Sequence, residues 1–287
     1  MNTKLGSTIL TTNLSADKSV KIHTYIAPEK AFGDASHVIE TANTLVIIDV
    51  QYLLPYAKEF KQYVESLNKP VNRIFISHAH PDHYMGLTLW PNTDAYSLAQ
   101  INETIKKTGN AVIKQYKPKL GAMLPNEAVY PTGVIELDNL VHDYWFSIMD
   151  IDGLKYTILP IYNAEDSVQL AFYLPKYETM FAQDVMFSNY HPYIAKPDFD
   201  KWIENIKFLR DYPSDAIFMG HGSQWGTNAY EYDIKYLQTA KQLYDQYQYQ
   251  NFKGNSGPQM YKHCLIEAYP NMNGVGIIDL YLPELFI

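Results

Sequence analysis

The chain has 287 residues, of which 47% are hydrophobic and 19% charged, and its formal net charge is −8. That apolar fraction supports a real core, and no compositional break, low-complexity tract or internal repeat divides it, so one domain over residues 1–287 is expected. With lysines and arginines scattered through an acidic chain, neither nucleic acid nor an anionic membrane surface is the expected partner.

Residues 1–18 are polar and lack an apolar stretch of signal-peptide length, and no window approaches a membrane span. Either a cytoplasmic protein or one whose leader has been trimmed is the resulting expectation. Cys264 is the only cysteine, which rules out an intrachain disulfide and reads as a small apolar filler.

In chain order, short β-rich runs come first: Val20 to Ile26, His37 to Glu40, and Thr44 to Val50. The last contains the continuous apolar run Leu45-Val46-Ile47-Ile48, the pattern of a strand buried on both faces, and it ends in Asp49. An amphipathic helix is expected from Leu54 to Leu67, with Tyr56, Phe60, Tyr63, Val64 and Leu67 on one face. A second buried strand, Arg73 to Ser77, leads directly into His78-Ala79-His80-Pro81-Asp82-His83.

Residues Ser97 to Tyr116 read as a helix. Strands follow at Gly133 to Leu137, Tyr144 to Met149, Leu154 to Ile161, Val168 to Leu174, and Thr179 to Phe181, the last running into Asp184. Asp152-Gly153 between two of these runs is a hairpin turn signal. A helix at Phe199 to Arg210 precedes a strand at Ala216 to Met219 that ends in Gly220-His221-Gly222. The last expected element is a helix from Tyr230 to Tyr249, whose apolar stripe reads as core.

Two blocks of strands, each closed by helices, imply two sheets between helical layers. Asp49, the His78 to His83 segment, Asp184 and His221 all fall at the ends of apolar strands, where loops carry function without disturbing the core.

The His78 to His83 segment concentrates imidazole and carboxylate, the donors that zinc and related divalent ions take. A tight loop can point His78 and His80 to one side and Asp82 and His83 to the other. Two incomplete half-sites result, each needing ligands from elsewhere in the chain.

The segment resembles the signature motif of the metallo-β-lactamase superfamily, an α+β fold built as a four-layer αββα sandwich and shared by zinc and iron hydrolases. Ile47-Ile48-Asp49 resembles its early strand ending in aspartate. Phe181-Ala182-Gln183-Asp184 resembles the strand that delivers the metal-bridging aspartate, with Gln183 standing where glycine is usual. Met219-Gly220-His221-Gly222 resembles the late segment supplying the final histidine. The resemblance implies His78 and His80 in the first half-site, Asp82, His83 and His221 in the second, and Asp184 bridging both. It implies two ions, zinc foremost, with iron or manganese as alternatives.

One feature departs from the pattern. The superfamily's first half-site takes a third histidine just before the strand that here runs Val168 to Leu174, where this chain reads Tyr162-Asn163-Ala164-Glu165-Asp166-Ser167. By spacing Asn163 occupies that position and Glu165 lies two residues on. A glutamate oxygen is an acceptable ligand, whereas Asn163 is better suited to hold a water; a solvated loop carboxylate is the other reading of Glu165. Asp49, Asn163 and His191 are candidates for outer support or substrate contact, and Tyr84, Trp90, Phe187, Tyr190 and Trp225 are candidates for an apolar pocket.

The expected function is hydrolysis by metal-activated water, with Asp82 orienting the nucleophile and carrying its proton. Absent basic clusters argue against nuclease work, His80 against the superfamily's redox diiron branch, and the missing third histidine against its sulfur dioxygenases. A small ester, lactone or thioester is preferred as substrate. The alternative is a metal-poor protein of this fold that binds a ligand or partner without turnover.

Overall fold

The computed structural model describes residues 1, 3–123, 139–141, 147–195, 197–248 and 256–287. Among these residues the strands are β1 (Thr8–Asn13), β2 (Lys21–Ile26), β3 (Ala35–Glu40), β4 (Leu45–Ile48), β5 (Val71–Phe75), β6 (Ala95–Leu98), β7 (Asn139–Val141), β8 (Ser147–Ile151), β9 (Leu154–Tyr162), β10 (Val168–Leu174), β11 (Thr179–Phe181) and β12 (Ala216–Phe218). The helices are α1 (Leu54–Ser66), α2 (Pro81–Tyr84), α3 (Ala99–Met123), α4 (Phe199–Arg210), α5 (Asn228–Tyr247), α6 (Ser256–Ala268) and α7 (Val275–Leu285).

The strands form two mixed sheets, one in the order β1-β2-β3-β4-β5-β6-β7 and the other β12-β11-β10-β9-β8. Every residue of β3, β4 and β10 is buried, as strands covered on both faces require. The sheets meet through large rings. Phe75 of β5 lies 5.1 Å from Phe172 of β10, and His37 of β3 stands edge-on to Phe181 and Phe218 at 5.4 and 5.5 Å. The outer faces carry helices. α1 buries Tyr56, Ala57, Phe60 and Val64 along one side, and Phe60 packs on Tyr25 of β2 at 5.5 Å. On the other sheet, α4 is capped by the Asp198 carboxylate, which accepts from the Lys201 N–H, and the Trp202 indole donates to the Val185 carbonyl at 2.9 Å. The architecture is the four-layer α+β sandwich expected from the sequence.

Asp152 and Gly153 both adopt positive φ (53° and 76°) between β8 and β9, the geometry of a tight hairpin turn. Asp152 also accepts from Thr41 Oγ1 at 2.6 Å and Asn43 Nδ2 at 2.8 Å, tying this hairpin to the turn after β3.

Element ends differ from the sequence reading by a few residues, and one assignment changes. Ser97 and Leu98, read as the start of a helix, belong to β6, which pairs in parallel with β5. The Ser97 hydroxyl donates to the Ile76 carbonyl at 2.7 Å, so tertiary pairing outweighs local helical tendency there. The strand expected at Gly133 to Leu137 and the start of the one at Tyr144 lie outside the described residues. β1, β7, α2, α6 and α7 are additional to the elements read from the sequence. Among the described residues no helix is long and apolar enough to cross a membrane.

Candidate metal centre

The site is built outward from a buried carboxylate. Asp49, just past β4, turns at a φ of 60° and accepts four hydrogen bonds. They come from the Ser77 N–H at 2.8 Å, the Ser77 hydroxyl at 2.7 Å, His83 Nδ1–H at 2.8 Å and Gln183 Nε2 at 2.6 Å. Ser77 Oγ, having donated its proton to Asp49, accepts from His78 Nδ1–H at 2.9 Å. His221 Nδ1–H donates to the Phe32 carbonyl at 2.9 Å. An acceptor at Nδ1 fixes the tautomer, so His78, His83 and His221 each direct an Nε2 lone pair away from these supports.

Those lone pairs converge on Asp184, in the turn that follows β11. Its Oδ2 stands 3.1 Å from His221 Nε2, 3.3 Å from His83 Nε2 and 3.9 Å from His78 Nε2. On one side Glu165 places Oε1 2.9 Å from His80 Nδ1 and Oε2 3.6 Å from His78 Nε2. On the other, Asp82 places Oδ1 3.7 Å from His83 Nε2 and Oδ2 3.4 Å from His221 Nε2. Donor atoms therefore gather as His78, His80 and Glu165, as Asp82, His83 and His221, and as His78, His83 and Asp184 between them.

This donor set fits divalent ions. The Nε2 atoms of His78 and His83, Oε2 of Glu165 and Oδ1 of Asp184 are buried without a hydrogen-bond partner. Leaving such groups unsatisfied costs about 1–3 kcal/mol each, and a bound cation removes that cost. Glycine at 220 keeps the space open, because a Cβ there would lie 1.8 Å from Asp184 Oδ1.

The same crowding shapes the electrostatics. Burial pushes the Glu165 carboxyl up to about 7, against the opposing pull of His80. Burial alone would lower the His80 imidazole, but the Glu165 carboxylate facing it raises it to about 10. Burial likewise favours a neutral Asp82, and the His83 and His221 imidazoles outweigh this and hold it below the ordinary carboxylate range.

His78, His80, Asp82, His83, Glu165, Asp184 and His221 are thus brought together, and Asp49 supports them from behind. Asn163 is not part of the cluster. It is exposed at a φ of 55°, and its carbonyl accepts from Asn205. His191 is buried beside α5, where its Nδ1 meets Tyr236 OH at 2.7 Å, and it does not line the cavity. Gln183 has a role the sequence did not disclose. Its φ of 45° is a conformation glycine adopts freely, and the bond to Asp49 offsets the strain of a larger residue.

A cavity of about 320 Å³ opens over the cluster, floored by His80, Asp82, Glu165, Asp184 and His221. Of the aromatic residues proposed to line it only Phe187 does so; Tyr84, Trp90, Tyr190 and Trp225 pack elsewhere. Phe32, Tyr52 and Tyr193 line it instead, together with side chains of α3 and α7. Tyr193 stands edge-on to His80 at 5.4 Å. Asp34 was also not legible in the sequence. It is buried 3.7 Å from His221 Nδ1 with Oδ1 unpartnered, and burial raises its carboxyl well above the usual range.

The sequence profile of the Metallo-beta-lactamase superfamily matches residues 32–221, and the chain belongs to that superfamily. No curated protein matches the chain by sequence. Among solved structures it is similar to a metallo-β-lactamase from Pontibacter korlensis, at a TM-score of 0.60 and 16% identity over 80% of this chain and 99% of that one. The metallo-β-lactamase IND-7 aligns at a TM-score of 0.62 and 18% identity, over 81% of this chain and 98% of its own. The stereoselective inverting sec-alkylsulfatase Pisa1 from Pseudomonas sp. aligns at 0.59 and 16% identity, over 78% of this chain and 41% of that chain. At these identities the likeness is one of fold.

Proposed function

We propose that the protein is a metal-dependent hydrolase acting on a small ester, lactone, thioester or related acyl compound. The observation that carries this reading is the approach of Asp184 Oδ2 to three imidazole Nε2 atoms, with Glu165 and Asp82 closing the two sides. His78, His80, Glu165 and Asp184 would hold one ion, and Asp82, His83, His221 and Asp184 the other. Zinc suits this mixture of nitrogen and oxygen donors, and iron or manganese is compatible with its carboxylate content.

Bound there, divalent ions supply Lewis acidity, which acidifies water toward neutral pH and polarises an acyl oxygen. The protein's own groups do the rest. Asp82 lines the cavity with its carboxylate ionised, placed to orient the attacking water and carry its proton to the leaving group. Asp49, Ser77 and the Phe32 carbonyl keep the imidazoles in one tautomer and orientation. Glu165 takes the place of the histidine the fold family uses. This supports an intact first half-site and weighs against the metal-poor binding protein.

Elemental analysis of purified protein tests the reading, alongside hydrolysis of p-nitrophenyl esters. About two ions per chain, falling to about one in Glu165→Ala, is the expected result. A native chain that binds no ion even after reconstitution would leave ligand binding without turnover as the function.

A further inference from the structure

The walls of the cavity differ in character from its floor. α3 contributes Thr104, Thr108 and Val112, spaced four apart so that all face the same side. α7, outside the residues matched by the family profile, contributes Ile277 and Leu280. α7 is held at its start by two backbone bonds. The Asn273 N–H donates to the Asn189 carbonyl at 2.9 Å, and the His191 N–H to the Asn273 carbonyl at 3.0 Å. Farther along α7, Tyr281 meets Tyr193 edge-on at 5.9 Å. The helix is therefore fixed to the segment that follows Asp184.

Among the described residues, no lysine or arginine lines this cavity. Among the described residues, the only charged wall residue beyond the metal-ligand set is Asp166, an acid. An anionic group lying against Thr104, Thr108, Val112, Ile277 and Leu280 would lose water and meet no charge on those five side chains, which is costly, while a methylene chain would gain from burial.

We propose that Thr104, Thr108 and Val112 of α3 and Ile277 and Leu280 of α7 line an uncharged acyl-binding channel, so that the substrate carries an apolar chain and no anionic group away from its reacting centre. This rests on the hydrolase reading for the word substrate, but the binding preference stands apart from turnover and is tested separately.

The test uses metal-loaded protein and two unreactive probes, N-butylhexanamide and the same amide ending in a sulfonate, a weak ligand for divalent ions. Calorimetric titration is expected to show the neutral amide binding at least roughly tenfold more tightly than the sulfonate. Each methylene added to the neutral acyl chain should gain about threefold until the channel is full. Leu280→Lys, at a half-buried position, should bring the two affinities together by roughly tenfold by setting a cation in the wall. Equal binding of the two probes, or tighter binding of the sulfonate by the unaltered protein, overturns the proposal. Hydrolysis of p-nitrophenyl hexanoate is measured in parallel. If that ester survives while the amide preference holds, the hydrolase reading falls and the channel stands. If the ester is cleaved but the probes bind alike, the reverse follows.

Discussion

Asp49 Oδ2 and His83 Nδ1 stand 2.8 Å apart at the end of β4, and this contact turns a structural carboxylate into the support of a candidate ligand. Asp49→Asn is expected to lower metal affinity by about 10- to 100-fold, because an amide holds the imidazole tautomer less firmly. Titration with a competing chelator checks this. Unchanged affinity would mean that Asp49 acts only in folding.

Gln183 makes a separate prediction possible. Gln183→Ala loses the bond to Asp49 and keeps the φ of 45°, whereas Gln183→Gly loses the same bond and relieves the backbone. The glycine variant should therefore be more stable than the alanine variant by about 1 kcal/mol in urea denaturation. The reverse order would show that the backbone at 183 is unstrained.

Gly220→Ala places a methyl group 1.8 Å from Asp184 Oδ1. Overpacking a filled site costs about 1–3 kcal/mol. Since the displaced atom belongs to Asp184, metal content per chain should fall together with the melting temperature. A variant that melts earlier but keeps its full metal content would separate the two effects.

Asp233 of α5 accepts from the Phe187 N–H at 2.9 Å, and burial raises its carboxyl to about 8 from 3.8. The folded chain thus retains a proton that the unfolded chain releases, and stability falls as pH rises between those two values. Asp233→Asn removes the ionisable group and keeps an acceptor for Phe187. Its melting temperature should exceed that of the unaltered protein by a margin that widens from pH 5 to about 8. Parallel pH profiles for the two proteins would refute this.

Chelation of bound ions supplies the fifth test. Ions present at about 100 to 1,000 times their dissociation constant stabilise the fold by about 3–4 kcal/mol, so a chelator should lower the melting temperature and re-addition should restore it. A melting curve indifferent to chelator would count against ions held by the folded chain.

Much of the site was legible because its residues terminate strands. β4 and β12 are apolar runs and β5 and β11 end in apolar residues, and the polar residues just past their ends, Asp49, His78 to His83, Asp184 and His221, stand out against them. Glu165 was legible only through what was missing around it. Local sequence cannot tell whether a loop carboxylate turns inward, and that choice depends on His78 and His80 facing it across the sandwich. The cavity walls were legible least. Ile277 and Leu280 come from a helix whose position is set by backbone bonds at Asn273, and no side-chain pattern announces such bonds. Ser97 shows the same limit on the fold, since pairing with β5 decides the matter.

α7 lies beyond residues 32–221, the span that carries every candidate ligand, yet it leans over the same cavity. Mutations there can accumulate or be engineered without touching a donor atom. Replacing Ile277 or Leu280, or grafting a different helix after Gly274, would retune which molecules are accepted while the ion-holding apparatus is inherited unchanged.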